Sequence, residues 1–217
     1  MNREMRILDR FAAAVQRHWL ALAVGFLLLY SGLPVLAPML KAAGWDGAAQ
    51  VIYQPYKAMC HTYGFRSFYL FGEKPVYTRD EFEQRTQFDT TTAAGLFAAR
   101  DFQGDAAIGY KIALCQRDMA IYPAMAIGGM LFGVLRRRVR PLPWWLFVTI
   151  GVAPIALDGF SQLFSQPPFS LLPIPPFTWV SPRESIWPLR VITGALFGFS
   201  AAWLVFPLIA GTMPDRD

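Results

Sequence analysis

At 217 residues, 54% of them hydrophobic and only 16% charged, the chain is more apolar than soluble domains of its size. Its net charge of +5 is no nucleic-acid footprint, because the basic residues stand at the ends of apolar runs, where Lys and Arg set membrane orientation. Composition therefore excludes nucleic acid as a partner and leaves the lipid bilayer as the first one.

In chain order, residues 1–17 form a charged leader. Met5, Leu8, Phe11, Ala12 and Val15 recur at helical spacing, with Arg3, Arg6, Arg10 and Arg17 largely on the other side. That pattern predicts a basic amphipathic helix on the inner membrane surface, or a plain charged lead into the first span. Residues 18–40 are apolar for longer than a signal-peptide core and are read as a retained first span. Residues 41–114 are the least hydrophobic part. Val51 to Tyr56 and Phe65 to Phe71 are aromatic-rich and are expected to rest on the outer surface. Asp80, Glu81 and Glu83 read as a solvated charge run, and Ala93 to Ala99 and Ile108 to Cys115 as short helices, the latter running on into the second span.

Residues 115–135, 144–164 and 187–210 are the second, third and fourth spans, each near the length of roughly 20 residues that a bilayer requires. Trp19, Trp144, Trp145 and Trp187 stand near span ends, as interfacial aromatics do. Residues 165–186 form a Pro-rich loop that cannot be a regular helix, and 211–217 form a tail. Arg136, Arg137, Arg138 and Arg140 follow the second span. With the leader arginines they orient both termini to the cytoplasm and put 41–114 and 165–186 outside. The expected class is an all-α integral protein of the inner membrane, a four-helix bundle with a long, partly helical outer segment between spans one and two. Gly129 with Gly133 and Gly194 with Gly198 supply small residues for close helix contact.

The polar residues gather toward one side of the membrane. Lys111, Cys115, Asp118 and Tyr122 would share a face on a helix. Asp158 lies inside an apolar run with Gln162 one turn later, and a carboxylate there costs about 2.5–3.5 kcal/mol on insertion scales. Arg183 and Glu184 precede the fourth span and Arg190 lies just within it. Asp158 with Arg190 is either a helix-locking ion pair or part of a polar pocket. In the pocket reading Asp158 and Glu184 are the acid–base candidates, and Arg183, Arg190, Gln162, Arg117 and Tyr122 the substrate-binding ones. The substrate would be a lipid or a quinone-like molecule. The other reading is a non-catalytic subunit of a membrane complex, with a membrane protein as partner. Transport is disfavoured, because the inner half of the bundle carries no comparable polar residues.

Cys60 and Cys115 are the only cysteines, both on the expected outer side. A disulfide between them is the plain reading. A metal site of Cys60, His61, Cys115 and Asp118 is the sharper one, with zinc the ion such ligands suit. Cofactor and catalytic-triad fingerprints are absent.

The ordered set Cys60-His61, Arg66-Ser67-Phe68, Cys115-x-Arg117-Asp118-x-x-Ile121-Tyr122, Asp158-Gly159-x-x-Gln162, Arg183-Glu184-Ser185 and Arg190-x-x-Thr193-Gly194-x-x-x-Gly198 resembles a membrane-protein family known as domain of unknown function 2085. Asp118 stands where that family's pattern has its second cysteine. If the family's cysteines and histidine bind a metal, Asp118 serves here as a carboxylate ligand. The resemblance implies a membrane bundle and this choice of residues, and no particular reaction.

Overall fold

The fold comes from a computed structural model that describes residues 3–60, 62–135, 138–166 and 183–212, with side chains described from Leu8 onward. It is mostly helical, with four helices long and apolar enough to cross a membrane: Leu8–Ala42, Asp118–Leu135, Trp144–Phe164 and Trp187–Thr212. A three-stranded sheet lies between the first two, which corrects the all-α expectation.

Helix α1 (Arg3–Ala42) is uninterrupted. At about 1.5 Å per residue it is far longer than a hydrocarbon core of roughly 30 Å. The leader continues the axis of the span, so the separate surface helix expected over residues 1–17 does not form. Leu22, Phe26 and Leu29 are exposed, as lipid-facing residues are. At its C-terminal end α1 overshoots the bundle. There Ala37 joins Ala49, Tyr53, Tyr56, Ala113 and Leu114 in a core with α2 (Asp46–Met59), flanked by Tyr30, Leu33 and Leu40. Pro34 has no N–H and leaves the Tyr30 carbonyl without its helical donor. The Tyr56 hydroxyl donates to that carbonyl at 2.7 Å, so the freed acceptor becomes a docking point for α2.

A short 3₁₀ turn (Gly64–Arg66) leads into β1 (Ser67–Leu70), followed by α3 (Arg79–Thr86), α4 (Ala93–Asp101), β2 (Gly104–Asp105) and β3 (Gly109–Cys115). Strand order is β1-β3-β2, antiparallel, with Ser67 opposite Cys115 and Tyr69 opposite Lys111. The run Ile108 to Cys115 was expected as helix. Apart from Lys111 it is apolar on both faces because both are largely buried, and periodicity alone cannot then separate strand from helix. The tight β2–β3 link decides it: Gly104 and Gly109 take positive φ, and the Asp105 carboxylate accepts from the N–H groups of Ala107 and Ile108 at 2.8 Å. Phe65, Tyr69, Tyr77, Phe82, Ala99 and Ile108 form the core of this cap. The acidic run is more than a solvated face. Glu81 closes a capping box with Thr78 at the start of α3 and pairs with Lys74, while Glu83 pairs with Arg79.

Helix α5 (Asp118–Leu135) packs along α8 (Trp187–Thr212). A Cβ on Gly198 would stand 2.1 Å from the Ile121 carbonyl oxygen and one on Gly194 2.7 Å from that of Arg117, so these glycines set the helix separation. The third span comprises α6 (Trp144–Leu146), a π-helical stretch (Phe147–Val152) and α7 (Ala153–Phe164). Pro207 in α8 frees the Trp203 carbonyl, which accepts from Leu142 N–H, while Trp203 Nε1 donates to Arg140 O. Trp144, Trp145 and Trp187 are exposed, as interfacial aromatics are. Trp19 is not: it is buried with Leu27, Ala126, Phe132, Ala202 and Phe206, because α1, α5 and α8 meet around it. Most of the Pro-rich loop, residues 167–182, lies outside the described residues.

Candidate functional site

The stretch Cys115-Gln116-Arg117-Asp118 is the turn from β3 into α5. Its side chains divide between two faces. Gln116 and Arg117 point toward α7 and α8, while Cys115 and Asp118 point toward the end of α2.

On the first face, two carboxylates and four arginines form one network. Asp158, on α7, is 3% exposed. Its oxygens receive Arg117 at 2.5 Å, Arg183 at 3.0 Å and the Ser185 hydroxyl at 2.8 Å. Arg183 also donates to Ser161 Oγ at 2.6 Å. Glu184 receives Arg66 in a two-pronged pair at 2.7 and 2.9 Å, Gln162 and Gln166 at 2.9 Å each, and Arg190. Arg190, 4% exposed, also donates to Gln116 Oε1 at 3.0 Å, and Gln116 Nε2 reaches the Ser67 carbonyl at 3.0 Å. The sheet, α5, α7, α8 and the segment before α8 are thus tied at one end of the bundle. Burial would push the Glu184 carboxyl up, but Arg66, Arg190 and Gln166 outweigh it and hold it below the usual range.

A cavity of about 250 Å³ adjoins this network. Glu184, Arg190, Gln116, Arg79 and Asp80 line it together with the apolar Phe65, Ile186 and Trp187. Ile186 and Trp187 are exposed, so the cavity borders the apolar girdle of the bundle.

On the second face, Cys60 at the end of α2, Cys115 at the end of β3 and Asp118 at the start of α5 bring their ligand atoms within 4.8 Å of one another. Both cysteines are free thiols. The Cys60 thiol is pushed up by its hydrogen bond to Cys115, by burial and by Asp118. Tyr122 lies here and not with Arg117: its ring meets that of Tyr30 edge-on, 4.6 Å between centroids. His61 lies outside the described residues.

Lys111 belongs to neither face. On a strand, four residues separate it from Cys115 by about 13 Å, where a helix would bring them within one turn, so the proposed polar stripe is not contiguous. The Lys111 ammonium is 1% exposed and donates to the carbonyls of Thr62 and Arg100 at 2.8 Å each. Burial lowers it from the ordinary lysine range to about 7.

Asp158, Gln162, Arg117, Arg183, Glu184 and Arg190 are therefore brought together, and Cys60, Cys115, Asp118 and Tyr122 form a second group. Sequence reading gave no role to Arg66, Gln116, Gln166 or Ser185. Arg66 and Ser185 stand in the quoted motifs. Gln116 carries no signal until strand alternation is known.

Residues 106–204 match the model of the family described as “Predicted membrane protein (DUF2085)”. The resemblance read from the motifs is thus shown over that stretch, which holds both carboxylates of the network but not Cys60 or Arg66. The chain is also 22% identical over 202 residues to the uncharacterised protein MJ1492 of Methanocaldococcus jannaschii, covering 89% of this chain and 94% of that one. No solved structure matches it significantly. The protein is a membrane protein of several apolar helices.

Proposed function

We propose that the protein binds the anionic head group of a lipid where the cap meets the bundle, at the outer leaflet of the inner membrane. The observation that carries this reading is the cavity of about 250 Å³ lined by Arg190, Arg79 and Glu184 together with the exposed Ile186 and Trp187. Arg79 and Arg190 line the cavity with Asp80 and Glu184, and the adjoining network sets four arginines against two carboxylates, so the surrounding field favours a negative group. Pockets for drug-sized ligands run to about 300–1,000 Å³. This one, of about 250 Å³, is of a size for a head group.

The arrangement of Asp158 favours a second role within the same reading. With two arginines and a hydroxyl on a carboxylate that is 2% exposed, it has no room to accept a substrate proton. It acts as a clamp between α7, the β3–α5 turn and the segment before α8. Glu184 and Asp80 border the cavity, and of the two carboxylates in the network Glu184 is the one placed to meet a ligand. Sidedness follows from charge: Arg138 and Arg140 lie beyond the opposite end of α5, and with the leader arginines they mark the cytoplasmic face.

The test is native mass spectrometry of the detergent-extracted protein with phosphatidylglycerol or phosphatidylcholine. Wild type should retain phosphatidylglycerol preferentially. Ile186→Trp, which fills the mouth, and Arg79→Gln, which removes a lining cation, should each weaken that retention roughly tenfold, the worth of about one charge-assisted contact. Equal retention of both lipids by wild type removes the reading.

A further inference from the structure

The second face of the β3–α5 turn points to a metal site. We propose that Cys60, Cys115 and Asp118 bind a zinc ion, or a divalent ion of similar preference, through two thiolates and a carboxylate.

The ligand atoms of these residues converge within 4.8 Å from three separate elements, the ends of α2 and β3 and the start of α5. Each position is fixed by something other than the site. The Cys60 N–H bonds the Tyr56 carbonyl as the cap of α2, Cys115 is in register with Ser67, and Asp118 opens α5. Zinc–ligand bonds of about 2.3 Å to sulfur and 2.0 Å to oxygen put tetrahedral ligands roughly 3.5 Å apart. Closing the triangle around an ion therefore takes shifts of about 1 Å.

Charge supports an ion over a sulfur–sulfur bond. Asp118 is half-buried, and among the described residues no salt bridge reaches it. The adjacent arginine, Arg117, is turned to Asp158 on the other face. Two thiols and a carboxylate at this spacing repel one another once ionised, and a dication relieves all three repulsions. A disulfide would use the two sulfurs and leave the carboxylate without a counter-charge. Thiolates select zinc over the oxygen-seeking calcium and magnesium. Three protein ligands leave a fourth position open, as in zinc sites that hold a water or a substrate atom. Tyr122, one helical turn after Asp118, stands on the same side of α5 with Tyr30 against it.

The experiment uses the full chain, purified in detergent with reductant and without chelator. Elemental analysis should find about one zinc per chain, and Co²⁺ added to metal-stripped protein should give the near-ultraviolet thiolate charge-transfer band. Cys60→Ser should abolish that band, and Asp118→Asn should weaken Co²⁺ binding at least as much as the roughly 10–100-fold that loss of an outer-shell partner costs. Because no ion pair reaches Asp118 among the described residues, Asp118→Asn should keep the wild-type elution profile, which separates ligand loss from misfolding. The proposal is overturned if wild type is metal-free and gives no cobalt band, if non-reducing mass spectrometry shows the two cysteines joined, or if Cys60→Ser retains the wild-type zinc content.

Discussion

The two faces of the β3–α5 turn carry similar residue types and reach opposite charge states. On the α7–α8 face, Asp158 and Glu184 are saturated by Arg66, Arg117, Arg183 and Arg190, with cation in excess. On the α2 face, Asp118 and two thiols meet, and among the described residues no salt bridge reaches Asp118. The first face is tied by its own side chains. The second needs a cation from outside, or protons, to be stable. The difference teaches that the same four-residue turn can be locked by its own side chains on one side and leave a carboxylate and two thiols together on the other.

The sharpest way to break the comparison is Asp158→Ala. It strands Arg117 and Arg183, and losing one partner of a buried pair costs about 3–5 kcal/mol. Both arginines keep some solvent contact, so roughly 3 kcal/mol is expected, read as a lowered unfolding temperature or loss of a monodisperse species in detergent. Asp118→Ala, with no salt bridge to break among the described residues, should stay within about 0.5 kcal/mol in metal-free protein. Equal losses at the two positions would collapse the distinction.

Gly198→Ala tests whether the α5–α8 contact sets the geometry of the first face. The added methyl would meet the Ile121 carbonyl at 2.1 Å, and overpacking of this kind costs about 1–3 kcal/mol. Gly133→Ala, whose nearest neighbour is a flexible Leu20 methyl at 3.3 Å, should be far milder in the same thermal assay.

Lys111 gives a pH signature behind the second face. Its folded pKa, about 7, lies below its ordinary value of 10.5, so the unfolded chain binds the proton more tightly over that interval. Stability should rise with pH from about 7 to about 8.5, above which unfolded-state thiols begin to ionise. Below about 7 the lysine is charged in both states and adds no slope. Lys111→Met should flatten the rise in unfolding temperature. A small loss is expected from Tyr56→Phe, which orphans the Tyr30 carbonyl at Pro34 and should cost about 1 kcal/mol in the same assay.

Much of the first face was legible in the chain. Asp158 announces itself as a carboxylate in an apolar run, and Gln162, Glu184 and Arg190 stand at matching ends of neighbouring spans. What was not legible was the division of partners. Asp158 was matched with Arg190, yet Arg190 bonds Glu184 and Gln116, while Asp158 takes Arg117 and Arg183. Arg66 and Gln116 were passed over because their roles depend on β1 pairing with β3. That pairing was itself hidden by an apolar run that fits helix and strand alike.

Sequence by itself determined the four apolar helices, because hydrocarbon length and backbone hydrogen bonding leave a chain of this composition few other forms. It also determined which ionisable residues are costly enough in such a setting to require partners. Only the tertiary structure decided that residues 109–115 form a strand, that the leader and first span are one helix, and which arginine serves which carboxylate. Those outcomes rest on contacts between segments far apart in the chain, where pairing geometry, and not local propensity, sets the energy.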